Sequence, residues 1–242
     1  MTGSLVEPRL RAVAHLVPPG SAVADVGSGD GRLARWLLTR GCIVTATEKT
    51  RAQACRLADA VSGTAIEVVE GFGLRPLQSR RLDLVVMTGL GGRSIARILE
   101  DPSVAPSWSL LLQPMQDLTA LSQALRRLNR GIGRACLVRS RGRLYPIVEA
   151  PLGVAWNGGP PGLLDGLGPW LRSDPLWSVW RDHALHRHAE DRGRAGSGRA
   201  PVSPNGGRQQ AAPMKTSRRL QPQKSTTSRR GAYATLSSAD TR

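Results

Sequence analysis

Asp25 stands two residues before a run of alternating glycines, Gly27-Ser28-Gly29-Asp30-Gly31, and its type and place suggest a ligand site. Glycine permits a left-handed turn and a close backbone approach, so a carboxylate beside such a turn can meet a cationic or hydroxyl-bearing ligand. Glu48, followed by Lys49, adds a second carboxylate about 20 residues beyond Gly27, the spacing from which an acidic side chain reaches a ribose in nucleotide-binding folds. Further on, Gly71-Phe72-Gly73 sets an aromatic ring between glycines, where it could stack on a purine or plug the core. A second glycine turn, Thr88-Gly89-Leu90-Gly91-Gly92, and a Gln113-Pro114 corner complete the set. No Cys or His lies at metal-ligand spacing, so the pattern predicts no metal.

These residues need strands to carry them. Apolar runs predict strands at 23–26, 42–46, 66–69, 82–87 and 109–112, each closed at its carboxyl end by one of the stretches above. Between them, helical spacing predicts helices over 32–39, 51–61, 94–99 and 117–129, with Ala52, Cys55 and Ala58 as the inward face of the second and Asp117 starting the last. A further helix over 5–17 precedes the first strand and is stopped by Pro18-Pro19-Gly20. Strand–helix alternation gives a parallel sheet. If its order reverses between the first and fourth strands, the two glycine turns flank one crevice. Strands over 134–139 and 144–150, joined by Ser140-Arg141-Gly142-Arg143, form a closing hairpin.

The chain carries 34 Lys and Arg against 18 Asp and Glu, a net charge of +16, and half of that excess falls in 190–242. A surplus of this sign favours a polyanionic partner, nucleic acid above all. The stretch 157–162 reads as a linker, and Trp170, Trp177 and Trp180 suffice for a short helical extension over 157–189. Beyond it, 190–242 holds scarcely a large apolar residue and is expected to be disordered, a basic tail able to hold RNA non-specifically. Cys42, Cys55 and Cys136 are scattered and read as buried thiols in a reducing compartment; with no apolar membrane-length run and no signal pattern, the chain reads as cytoplasmic.

A dinucleotide fingerprint needs a third glycine at the position that Arg32 occupies, so a pyrophosphate is not the natural ligand of the first turn. What stands there, an acidic residue and then Gly-x-Gly-x-Gly, resembles the first motif of class I S-adenosylmethionine-dependent methyltransferases. The residues also allow a Rossmann-like protein whose glycine turn is only structural. More specifically, pieces from about 5 to 189 resemble, in order, the bacterial tRNA (adenine-N1)-methyltransferases acting on position 22 of the D-arm. The pieces are Leu10-Arg11-Ala12-Val13-Ala14, Asp25-Val26-Gly27-Ser28, Thr88-Gly89-Leu90-Gly91-Gly92, Leu112-Gln113-Pro114, Gly142-Arg143-Leu144-Tyr145-Pro146-Ile147 and Gly168-Pro169-Trp170-Leu171. Where the family reads Gly-Ser-Asp-His, this chain has Gly27-Ser28-Gly29-Asp30; where it reads Gly-Asp-Gly-Leu, Gly71-Phe72-Gly73-Leu74; where it reads Gln-Pro-Asn, Gln113-Pro114-Met115.

The resemblance implies an α/β fold: a Rossmann-like class I methyltransferase domain over 1–156, mostly parallel with an antiparallel last strand, then the helical extension over 157–189 and the tail over 190–242. It implies S-adenosyl-L-methionine as cofactor, held by Asp25, Gly27, Ser28, Gly29, Glu48, Lys49, Gly71, Phe72, Thr88 and Gly89. Asp30, Thr88, Gln113 and Pro114 would wall the target adenine, with Arg93, Arg141 and Arg143 on the phosphates of a tRNA substrate. A methyltransferase acting on a small molecule or protein, and an RNA-binding protein without catalysis, are the alternatives.

Overall fold

A computed structural model describes residues 7–103, 107–159 and 167–184. Helix α1 (Pro8–Leu16) leads into β1 (Ala22–Val26), α2 (Arg32–Thr39), β2 (Ile43–Glu48), α3 (Arg51–Ala60) and β3 (Glu67–Glu70). A 3-10 turn (Arg75–Leu77) follows, then β4 (Leu84–Thr88), α4 (Gly92–Leu99), β5 (Ser109–Gln113), α5 (Leu118–Arg127), β6 (Arg134–Ser140), β7 (Arg143–Ala150) and α6 (Gly168–Leu171). The basic stretch over 190–242, with His186 and His188, lies outside the described residues.

All seven strands form one sheet in the order β3-β2-β1-β4-β5-β7-β6. The first five are parallel and β7 enters antiparallel to β5, as the hairpin signal implied. The order turns back between β1 and β4, so their carboxyl ends open the crevice that such a switch point creates. Central strands read as continuous apolar runs because both faces are covered. One face packs Ala24, Val26, Val85, Met87 and Leu112 against α4, α5 and the C-terminal helical residues Leu167, Leu171 and Trp180. The other packs Val23, Val44, Val86 and Leu111 against Val13, Leu37 and Leu57 from α1, α2 and α3.

Three local expectations need correction. The inward face of α3 is Ala54 and Leu57, continued by Val61, and Ala52, Cys55 and Ala58 face solvent. Within so alanine-rich a helix the short side chains give little periodic signal, and one leucine sets the face. Cys55 is accordingly exposed, Cys42 buried and Cys136 half-buried. Asp117 does stand at the N-cap position of α5, but it takes the left-handed conformation (φ 56°) and its side chain makes no capping hydrogen bond.

The edge strand β6 is closed off by the C-terminal residues: the Leu137 N–H donates to Asp174 Oδ2 at 2.7 Å. Covering an edge in this way removes an exposed row of strand donors. Among the described residues, no helix is long and apolar enough to cross a membrane and no cluster of His, Cys, Asp and Glu could hold a metal.

Candidate active site

The crevice is built first from main chain. Leaving β1, Gly27 turns at φ 73° and Gly29 at φ 66°, conformations costly for any residue with a Cβ. Gly27 N–H and Ser28 N–H both donate to the Thr47 carbonyl at 2.9 and 3.2 Å, which pins the turn onto the end of β2. Gly29 N–H then donates to Glu48 Oε1 at 2.6 Å, so the second carboxylate sits directly under the glycine turn. A Cβ on Gly29 would meet nothing within 4 Å: this part of the turn borders open space. Gly31 differs, because a Cβ there would lie 2.5 Å from Val61 Cγ1; it is a packing glycine against α3.

Asp25 is enclosed at 1% exposure, near the end of β1. Its Oδ2 accepts from Ser28 Oγ at 2.7 Å, while Oδ1 is buried without a hydrogen bond of ordinary geometry. Burial pushes its carboxyl up to about 6, against the Ser28 hydrogen bond, and the nearby Glu48 charge adds to the rise. Two carboxylates, one unsatisfied, at one glycine turn favour a ligand carrying positive charge and hydroxyl groups.

The opposite wall comes from β4 and β5. A Cβ on Gly27 would lie 3.5 Å from the Leu90 side chain, so the two glycine turns face one another across the crevice. Thr88 and Gln113 pair in register at the ends of β4 and β5. Gln113 is fully buried and its amide is spent inside the protein. Oε1 accepts from the Arg9 guanidinium and, at 3.2 Å, from the Gly89 N–H; Nε2 donates to the Pro114 carbonyl at 2.8 Å. Its geometry therefore fits a strut that fixes the loops after β4 and β5 rather than a group that reads a base.

Arg9 is the residue that sequence reasoning missed. It is 8% exposed, pairs with Glu7 at 3.3 Å and lies 5.8 Å from the Tyr145 ring centre, while Glu7 accepts from Ser140 Oγ at 3.1 Å. Burial raises the Glu7 carboxyl, but the Arg9 hydrogen bond and charge outweigh it and hold it below its ordinary value. The signal was present: Arg9 falls on the same helical stripe as Leu10, Val13, Ala14 and Val17, the only charged residue among them.

The remaining candidates lie around the rim. Asp30 is exposed and held by Arg32 at 2.8 Å; burial on its own would raise its carboxyl, but the Arg32 hydrogen bond and charge together with backbone N–H groups keep it below the ordinary value. Lys49 and Gly89 are exposed, Pro114 buried. Arg141 (φ 48°) and Gly142 (φ 76°) form the two left-handed residues of the β6–β7 turn, at the carboxyl edge of the sheet, with Arg141 and Arg143 exposed. Arg93 at the start of α4 is 81% exposed and 3.8 Å from Asp117. Phe72 turns its ring into a groove beside α4, with guanidinium carbons of Arg97 and Arg75 at 5.3 and 5.8 Å from its centre. Its neighbour Gly71 stays at the β2 corner, its N–H donating to the Glu48 carbonyl at 2.9 Å.

No curated protein sequence matches the chain. Among solved structures, the B. subtilis m1A22 tRNA methyltransferase TrmK is 22% identical, with 81% of this chain covering 89% of that one at a TM-score of 0.66. TrmK from M. capricolum in complex with the natural cofactor product S-adenosyl-homocysteine is 18% identical over 84% of this chain and 91% of its own, at 0.66. A Streptococcus agalactiae protein of the NADB-Rossmann superfamily is 24% identical, 81% of this chain covering 88% of it, at 0.67. Each likeness establishes a shared fold. The sequence profile of the methyltransferase domain matches residues 6–148, more than half of the chain, from α1 into β7, and the chain belongs to that family.

Proposed function

We propose that this protein is an S-adenosylmethionine-dependent methyltransferase that modifies N1 of an adenine in the D-arm of tRNA, acting in the cytoplasm. The observation that carries the substrate reading is the extent of the match: the tRNA methyltransferase from B. subtilis is covered over 89% of its length, well past the methyltransferase core. Free Cys42, Cys55 and Cys136 suit a reducing compartment.

The site fits the cofactor. The Gly29 turn borders open space, Glu48 keeps Oε2 for a ribose hydroxyl, and buried Asp25 offers an unsatisfied oxygen to the positive end. When bound, S-adenosylmethionine supplies an electrophilic methyl group on a sulfonium, which an in-line attack by the adenine N1 lone pair accepts. No proton has to leave the nucleophile, so the chain's task is to position the reactants. Gly27, Ser28, Gly29 and Gly71 give the main-chain bed, and Thr88, Gly89 and Pro114 the wall on the target side. Arg9 and Gln113 hold that wall rigid from behind. Asp30, exposed on the rim and paired with Arg32, would help balance the positive charge that the adenine ring acquires. N1 lies on the pairing edge, so the base has to be exposed or flipped into the crevice. Arg141 and Arg143 on the hairpin, and Arg93 on α4, are the phosphate contacts.

The test is direct. Bulk tRNA incubated with the protein and labelled cofactor should yield 1-methyladenosine on nucleoside analysis. Intact cofactor binding with no methyladenosine would overturn the substrate, and the other methyltransferase substrates would then take precedence.

A further inference from the structure

A second concavity lies on the α4 and α5 side of the molecule and meets the cofactor bed at one end, where Phe72 follows Gly71. It has a volume of about 480 Å³, and Phe72, Arg75, Arg93, Arg97, Gln123 and Arg127 carry its chemistry. Four arginines there face only two carboxylates, Glu100 and Asp101. The four are not alike. Arg75 is fixed by Asp101, Nε to Oδ2 at 2.7 Å and Nη2 to Oδ1 at 3.3 Å, and this grip holds the Asp101 carboxyl far below its ordinary value. Arg127 is fixed by Glu100 at 2.5 Å. Arg97, by contrast, is exposed and, among the described residues, has no carboxylate within ion-pair distance; it rests on the Phe72 ring. Arg93 has only the long contact to Asp117.

A guanidinium lying on an aromatic ring stays weakly hydrated and keeps its N–H edge free, which suits it to grip a phosphate in two-pronged fashion. The half-buried Phe72 ring carries two guanidiniums, Arg97 at 5.3 Å and Arg75 at 5.8 Å from its centre, and an unpaired base can stack on such a ring or on the guanidinium plane that lies over it. Resting on the reading of the enzyme as a tRNA methyltransferase, we infer that this groove binds the sugar-phosphate backbone of the substrate RNA next to the target adenine, with one unpaired base stacked at Phe72. Phe72 follows Gly71, whose N–H is tied to the end of β2, so this end of the groove lies one residue from the corner of the crevice.

The experiment measures binding of a fluorescent tRNA transcript to the full chain by anisotropy over a series of salt concentrations, with cofactor affinity measured in parallel. Arg97→Glu should weaken tRNA binding at least tenfold and flatten the salt dependence by one to two ions, with cofactor affinity unchanged. Phe72→Leu, which keeps an apolar plug, should weaken binding about threefold to tenfold at every salt concentration and leave the slope as it is. Affinities within twofold of the parent for both variants would overturn the inference, as would displacement of the transcript by a free mononucleotide at equal affinity, which would mark a small-molecule pocket. Loss of methyladenosine formation in the parent protein, with the Arg97 effect intact, would overturn the reaction and leave the groove standing.

Discussion

The two glycine turns look alike in sequence, each a glycine-rich run between an apolar strand and a helix, yet the structure uses them for opposite purposes. After β1, Gly29 has nothing within 4 Å of where a Cβ would be, and its N–H meets Glu48. After β4, a Cβ on Gly92 would lie 2.0 Å from the Asp117 carbonyl oxygen, and its N–H donates to the Gln116 carbonyl at 2.7 Å. The first turn is open so that a ligand can approach; the second is closed because another loop already occupies the space. Glycine serves both needs, since what it supplies is the absence of a side chain.

That contrast is sharpest at Gly92. Gly92→Ala cannot be relieved by a side-chain rotation, because the opposing atoms are backbone at the entry of α5. The expected loss is about 3 kcal/mol of folding stability, the upper end of what overpacking usually costs, read as a fall in the denaturant midpoint. A loss below about 1 kcal/mol would mean that the loops after β4 and β5 are free to part, and that the rigid wall assigned to Thr88, Gly89 and Pro114 is not rigid.

Much of the frame was legible in the sequence, for a physical reason. Strands covered on both faces must be apolar throughout, so β1, β4 and β5 announce themselves, and the Arg141-Gly142 turn announces the hairpin. The candidate site was legible where chemistry follows from the main chain, at Gly27 and at Glu48 on the end of β2. It was illegible where a side chain had two possible occupations. Gln113 carries an amide that could read a base, and only its neighbours show it committed to Arg9 and Gly89. Phe72 carries a ring that could stack on a purine or plug the core, and the structure sets it in the groove beside α4 with the Arg97 and Arg75 guanidiniums over it. The face of α3 failed for want of contrast among its alanines.

Asp25 extends the comparison from backbone to charge. Its carboxyl titrates near 6 in the folded protein against an ordinary value of 3.8, so the folded state favours the protonated form. The stabilisation this gives is complete below about pH 4 and is lost as the pH rises through 6, leaving an ionised buried group that costs about 3 kcal/mol at pH 7. Asp25→Asn should therefore raise the melting temperature at pH 7.5, with the gain fading between pH 6 and 4. It should at the same time weaken cofactor binding by tenfold or more. Parent affinity should itself decline below pH 6 as the carboxylate is lost. A variant that is more stable and still binds cofactor normally would remove Asp25 from the site and leave Glu48 and the open turn as its only supports.

The smallest effects separate two glycines of one turn, Gly29 and Gly31, with only Asp30 between them. Gly31→Ala adds a Cβ 2.5 Å from Val61 Cγ1 at φ 71°, so both crowding and backbone strain act, and about 2–3 kcal/mol should be lost. Val61→Ala placed beside it should return part of that loss, because the clash is with a side chain and the two sites are coupled. Gly29→Ala adds strain alone at φ 66°, about 1 kcal/mol, since nothing stands in the way. Its effect on cofactor affinity should nonetheless exceed that of Gly31→Ala, because its methyl group enters the space that the ligand takes. Calorimetry paired with cofactor titration on the two variants decides the matter. If Gly31→Ala proves the worse binder and Gly29→Ala only the less stable fold, then the open side of the turn has been assigned to the wrong glycine.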